Sequence, residues 1–190
     1  MAAVIEDVQK LRDSGHLGEE QLEARLEPAD LALLGKQVQA ALWYPIGSYR
    51  RLSELLLDVE GHGHPDYLVD RGARAAERIW EAGLYIQLEH GEEKAEQARA
   101  QGGVMSERDS RLITSMSGAI FNFSRWTYRS EQSEGVILVT DAAALPDVSV
   151  HAARGFLEYV IGRLRRQDTP VRAERTAPDR VEFRFALSLG

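Results

Sequence analysis

The sequence predicts an α+β fold: an N-terminal helical layer packed on a C-terminal four-stranded antiparallel sheet with one long crossover helix. Three observations predict it. Gly135-Val136-Ile137-Leu138-Val139-Thr140-Asp141 is a short apolar run closed by turn residues, the pattern of a strand covered on both faces. Between Val148 and Arg166, the residues Val150, Ala153, Phe156, Leu157, Val160, Ile161 and Leu164 recur at helical spacing on one broad stripe. Two alternating segments then flank Thr176-Ala177-Pro178-Asp179, with Val181, Phe183, Phe185 and Leu187 on one face and Arg180, Glu182 and Arg184 on the other. Strand, helix and hairpin in that order give an antiparallel sheet with a helix lying across it.

The earlier elements are helical. Val4, Val8 and Leu11 predict a first helix over Ala3–Ser14, ended at Gly15. A second is expected over Glu19–Leu26. Pro28 opens a third, since proline suits the first turn of a helix, and Leu31, Leu33, Leu34, Val38 and Leu42 form its stripe. After Pro45 and Gly47, Ser48 is the expected cap of a helix reaching Glu60, with Tyr49, Leu52, Leu55 and Leu56 inward. Gly61 to Pro65 reads as a loop, and Asp66 as the cap of a helix over Tyr67–Ala82 that Gly83 ends. Glu89–Ala100 reads as a charged, solvated helix. Ser106 and Asp109 form a capping-box variant ahead of Leu112, Ile113, Met116 and Ile120. Phe121 and Phe123 alternate on one parity and Trp126 and Tyr128 on the other, which predicts a strand from about Phe121 with a bulge near Ser124. Ser130 to Glu134 is the expected turn into Val136–Thr140, and Val171–Arg175 is expected to pair with Arg180–Leu187. Residues 1–40 read as a helical arm or lid, and 41–190 as an α+β ligand-binding-like domain.

Composition narrows the function classes. The chain has 190 residues, no cysteine and a formal net charge of −7. Without cysteine there is no thiolate nucleophile, disulfide or Cys-ligated zinc, and a cytoplasmic location is expected. The first 100 residues carry the acidity, with 19 acids and 11 bases, against 11 acids and 12 bases in the remainder. Such a surface repels nucleic acid, and the compact basic cluster Arg163, Arg165 and Arg166 sits where cations suit the end of a helix dipole. No apolar stretch approaches the roughly 20 residues of a membrane span. The expected partners are therefore a small apolar molecule or another protein, with neither nucleic acid nor membrane.

No motif carries a recognisable chemistry. A nucleophile elbow, a Walker loop and a Gly-x-Gly-x-x-Gly turn are all missing from the sequence. His62 and His64 flank Gly63 beside Asp58, Glu60 and Asp66, so they are weak metal-ligand candidates, as is His90 after Glu89. A polar inter-helix turn is the favoured reading of the first two. The aromatic residues Trp43, Tyr44, Tyr49, Trp80, Tyr85 and Trp126 are candidates for lining a ligand pocket, because each joins a large apolar body to a polar tip. Ordinary core packing is the competing reading of the same residues.

The Trp43-Tyr44-Pro45-Ile46-x-x-Tyr49 stretch, the leucine-rich helix and Gly72-Ala73-Arg74 helix after it, and the late strand–helix–hairpin resemble a myxobacterial paralogous family of unknown function. More remotely, residues 40–188 are similar in pattern to the superfamily that joins heme–nitric-oxide-binding domains, vinyl-4-reductase-type small-molecule-binding domains and transport-particle subunits. The resemblance implies a sensor or adaptor in bacterial signalling, with a cavity between helices and sheet, often paired as a homodimer, and no catalysis. The heme-binding branch uses a Tyr-x-Ser-x-Arg motif and an axial histidine. Here Tyr128-Arg129-Ser130-Glu131 departs from that motif, and His90 is the histidine in the corresponding region. The leading expectation is a non-enzymatic small-molecule-binding or protein-interaction module without a cofactor. The alternatives are a heme- or metal-dependent sensor, and an enzyme whose site the sequence does not display.

Overall fold

The computed structural model describes residues 1–36, 43–83 and 122–187. The chain divides into two compact units, Met1–Leu68 and Val69–Gly190. The expected boundary near residue 40 falls on undescribed residues, and the helix that follows it shares a core with the helices before it.

In the first unit, α1 (Ala2–Asp13), α2 (Glu19–Arg25), α3 (Pro28–Leu34) and α4 (Ile46–Val59) surround a leucine-rich core. Ile5, Val8, Leu22, Leu52 and Leu56 are fully enclosed there. The starts of α2 and α3 have local causes. The Gln21 side chain accepts from the Gly18 N–H at 2.9 Å, Pro28 stands at the first turn of α3, and Asp30 accepts from the Glu27 N–H at 3.0 Å. The start of α4 differs from the expectation. The helix begins at Ile46 behind Pro45, and Ser48 is a buried first-turn residue whose hydroxyl bonds Asp30. The proline sets the helical entry, which releases the serine for a tertiary contact.

One joint in this unit is ionic. Asp30 is fully buried on α3 and accepts from Arg51 on α4 through both carboxylate oxygens, at 2.5 and 3.1 Å. Arg51 also reaches Glu27 at 2.9 Å. Burial pushes the Asp30 carboxyl up, and hydrogen bonds from Arg51, Ser48 and the Glu27 N–H outweigh it, so the group is held below its ordinary value.

Helix α5 (Asp66–Glu81) begins one residue earlier than expected, with Asp66 inside its first turn and not its cap, and the chain leaves it through Gly83 at φ 72°, the left-handed exit the sequence implied. In the second unit, β1 (Arg125–Glu131), β2 (Glu134–Thr140), β3 (Arg172–Ala177) and β4 (Arg180–Ala186) form one antiparallel sheet in the order β1-β2-β4-β3. Helix α6 (Asp147–Arg165) is the connection from β2 to β3. The β2 strand is central as expected, with Val136 and Ile137 both fully buried although they point to opposite faces.

The core face carries Trp126, Ile137, Val139, Val181, Phe183 and Phe185, with Leu157, Val160 and Ile161 of α6 packed against them. Two of its contacts depend on glycine. A Cβ on Gly135 would stand 2.4 Å from the Phe185 ring, so glycine lets that ring lie flat across β2. At the crossing of α5 and α6, a Cβ on Gly72 would meet the Ala152 carbonyl oxygen at 1.9 Å, and one on Gly155 would meet that of Val69 at 1.9 Å. The two backbones touch where no side chain fits.

Strand boundaries differ from the expectation, at β3, which runs on to Ala177, and around β1. The strand starts at Arg125, and Ser124 lies before it as the acceptor of the Trp126 indole N–H at 3.0 Å. Phe123 therefore precedes the strand, and its parity needs no bulge. The turn after β1 is also tighter, with Gln132 and Ser133 between paired Glu131 and Glu134, and Gln132 at φ 51°. The helices expected over Glu89–Ala100 and behind Ser106, with Phe121, lie outside the described residues.

Candidate functional site

The sequence-predicted pocket residues fall in both units, and in the second unit Trp80 and Trp126 border one core. Trp126 is 7% exposed and stacks on Phe183, with ring centroids 5.7 Å apart and planes 12° from parallel. It is packed core. Trp80 borders the same core, with the Arg163 guanidinium 5.5 Å from its ring centroid. Trp43, Tyr44 and Tyr49 belong to the first unit, where Trp43 is 62% exposed and Tyr49 packs on the leucine core. Tyr85 and His90 lie outside the described residues.

His62 and His64 are exposed in the α4–α5 loop, His62 at φ 50°. The acids expected near them are engaged elsewhere: Asp58 pairs with Arg25, and Glu60 accepts from the Tyr67 hydroxyl. Among the described residues no group of three His, Cys, Asp or Glu side chains is placed to hold a metal ion. Nor is any helix among them long and apolar enough to cross a membrane.

The concentrated polar chemistry lies on the face of the sheet opposite α6. Strand register sorts that face into bands running across the strands. Arg125 on β1 and Arg180 on β4 stand at one end. Next come Thr127, Leu138, Glu182 and Glu174 in a row, then Arg129, Val136, Arg184 and Arg172, and last Glu131 and Glu134. The bands are therefore positive, negative, positive and negative. Like charges stand directly opposite one another at Glu182/Glu174, Arg184/Arg172 and Glu131/Glu134.

Diagonal pairs link adjacent bands. Arg184 reaches Glu182 at 2.5 Å, Glu131 at 3.0 Å and Glu134 at 3.2 Å. Arg129 reaches Glu131 at 2.6 Å and Glu182 at 3.5 Å, and Arg172 reaches Glu134 at 2.6 Å. The hydrogen bond to Glu182, with those to Glu131 and Glu134, makes the Arg184 guanidinium hold its proton more tightly than usual. At the β1–β2 turn, Glu131, Gln132, Ser133, Glu134 and Arg184 line an open depression of about 550 Å³. This arrangement can receive charged groups in a fixed pattern.

A second polar group stands on the core side of the sheet. Arg165 at the end of α6 donates to the Leu187 carbonyl at 2.7 Å and to that of Ala186, fastening the helix to the end of β4. Burial pulls its guanidinium down and pushes the nearby Tyr128 hydroxyl up, the latter opposed by the Arg165 charge. These contacts are structural.

Sequence reasoning placed Glu182 and Arg184 outward and went no further. A signal was present. Charge sign alternates every second residue along Arg180-x-Glu182-x-Arg184 and again along Arg172-x-Glu174. Turning that alternation into bands requires the register between strands. In comparisons with family models, curated proteins and solved structures, the chain matches none.

Proposed function

We propose that this chain is a non-enzymatic protein-interaction module that binds through the charged outer face of its sheet, in the cytoplasm. The observation carrying this reading is the Trp126–Phe183 stack: the core face, where a ligand cavity was expected, is occupied by its own side chains at 5.7 Å ring separation. Tyr128 stacks likewise on Phe185 at 6.4 Å. Favouring a protein over a small apolar molecule, the outer face offers arginine and glutamate in a fixed order, which confers register and specificity on a protein contact. The lack of cysteine fits a reducing compartment.

Native mass spectrometry of the chain purified from its own host tests the reading. The expected masses are those of polypeptide alone, as one chain or several. A small molecule retained one-to-one would overturn the interaction reading, and an absorbance scan of the same sample would show whether that molecule is heme.

A further inference from the structure

We infer that the free edge of β3 binds an extended segment of another protein as a fifth strand, with an acidic side chain set against Arg172 and a basic one against Glu174. The inference rests on the interaction reading above and names the place and the partner's chemistry. Hydrogen-bond parity decides what the edge offers. The Leu187 N–H donates to the Ser133 carbonyl at 2.8 Å, continuing the register of Phe185 with Gly135, so the odd-numbered residues of β4 turn their backbone groups to β2. The even-numbered Glu182 and Arg184 therefore turn theirs to Glu174 and Arg172 of β3. The backbone groups of Val171, Ala173 and Arg175 point away from β4, and β3 is the last strand on that side among the described residues. The chain satisfies one of these groups itself: the Val171 N–H donates to the Glu158 carboxylate at 3.0 Å. Those of Ala173 and Arg175 are left for an added strand.

Charge selects the partner. Toward the free edge, Arg172 and Glu174 hold the positions without backbone bonds, where side chains of antiparallel strands come closest. Both are exposed. On the β4 side each faces its own sign, Arg172 beside Arg184 and Glu174 beside Glu182. An acid and a base arriving from the other side place opposite charges where the sheet has like ones. Between them, the segment sets one side chain beside Ala173, a half-buried methyl packed on the core, where a β-branched apolar residue fits. Antiparallel to β3, the complementary segment reads base, apolar residue, acid. The β3 strand of a second copy has a similar order but fits the edge poorly. Two β3 strands paired about Ala173 set Val171 of each against Arg175 of the other, where backbone bonds would form, and the Val171 N–H is held by Glu158. They also set methyl against methyl at the apolar place. The occupant is therefore a segment of a different protein.

An NMR titration of the full chain with the capped peptide Thr-Thr-Lys-Val-Glu-Thr-Thr tests this, to about 3 mM peptide. So short a strand covers far less than the roughly 1,200 Å² of a standard interface, and a dissociation constant of about 0.1–1 mM is expected. The amides of Ala173 and Arg175 should shift and exchange with water several-fold more slowly, while those of Arg172 and Glu174, already bonded to β4, keep their protection. Glu174→Arg should weaken this peptide about fivefold, and Thr-Thr-Glu-Val-Glu-Thr-Thr should bind that variant about fivefold more tightly than it binds the native chain. Ala173→Pro removes the outward N–H, leaves the bonds of Arg172 and Glu174 to β4, and should abolish binding. Circular dichroism checks that both variants are folded. No shift at Ala173 and Arg175, binding that survives Ala173→Pro, or an affinity indifferent to the charge exchange overturns the inference. So does self-association of the peptide-free chain that protects the same two amides, since a second copy is then the occupant. Failure of the edge, with no retained small molecule, leaves the interaction reading standing. A stoichiometric small molecule removes that reading itself.

Discussion

The helical unit and the sheet unit put charge to opposite uses. In Met1–Leu68 a carboxylate is driven fully inside, where Asp30 joins α3 to α4 through Arg51. In Val69–Gly190 the core is held by stacked aromatics and a backbone contact at Gly72 and Gly155, while three arginines and three glutamates form an ion-pair lattice outside it. The first unit cannot lose its ion pair without leaving a buried polar group unpaired. The second can lose an outer charge and keep its core. Charge that folding does not need is free to serve recognition, which is why the proposed interaction surface is placed on the sheet.

The largest effect should come from filling the helix crossing. Gly155→Ala places a methyl 1.9 Å from the Val69 carbonyl oxygen, a backbone atom that cannot turn aside. Separating α5 from α6 to admit it would also pull α6 off Phe183 and Val181. A loss of about 3 kcal/mol is expected, at the upper end of overpacking costs. Hydrogen exchange should show protection lost along β2 and β4. Unchanged exchange there would mean that the sheet unit does not depend on the crossing, and would weaken the contrast.

Next in size is the buried pair. Asp30→Asn keeps the shape and removes the charge, leaving Arg51 without its bidentate partner. A cost of about 2–3 kcal/mol is expected, below the full 3–5 kcal/mol of a wholly buried pair because Arg51 is 26% exposed. The pH dependence has a definite sign. The folded value of Asp30 lies below its ordinary 3.8, so its contribution is complete above about that pH and is lost as pH falls through the folded value. Urea unfolding of both proteins between neutral and strongly acidic pH should show the gap closing toward acid. A gap that stayed constant would mean the aspartate acts through packing alone.

Much of this architecture was legible in the sequence, for identifiable reasons. The β2 run lacks charge from Val136 to Val139, so it has to be central. Alternation in Val181-Glu182-Phe183-Arg184-Phe185 fixes which face each side chain takes. Local turn chemistry was harder to read. Pro45 displaced Ser48 as the start of α4, and Ser124 proved to be the partner of an indole, not a bulge. The close approach at Gly72 and Gly155 was hidden because the glycines lie on separate helices, and spacing within one helix carries no sign of a crossing. The outer face was hidden for a related reason. Its sign alternation is written in each strand, but its meaning depends on alignment between strands that hydrogen bonding sets only in the folded chain.

The smallest effect on stability is also the one that bears most directly on function. Arg172→Ala removes an exposed guanidinium on an edge strand, its side chain 75% accessible, together with its pair to Glu134. Exposed ion pairs contribute about 0–1 kcal/mol, so the unfolding midpoint should move by about 0.5 kcal/mol or less. The same truncation takes an exposed cation from the proposed interaction surface, so binding through that face should weaken more than folding does. Measuring both quantities on one preparation separates the two uses of charge. If Arg172→Ala destabilised the sheet as strongly as Asp30→Asn destabilises the helices, the outer lattice would be part of the folding core, and the argument assigning it to recognition would fail.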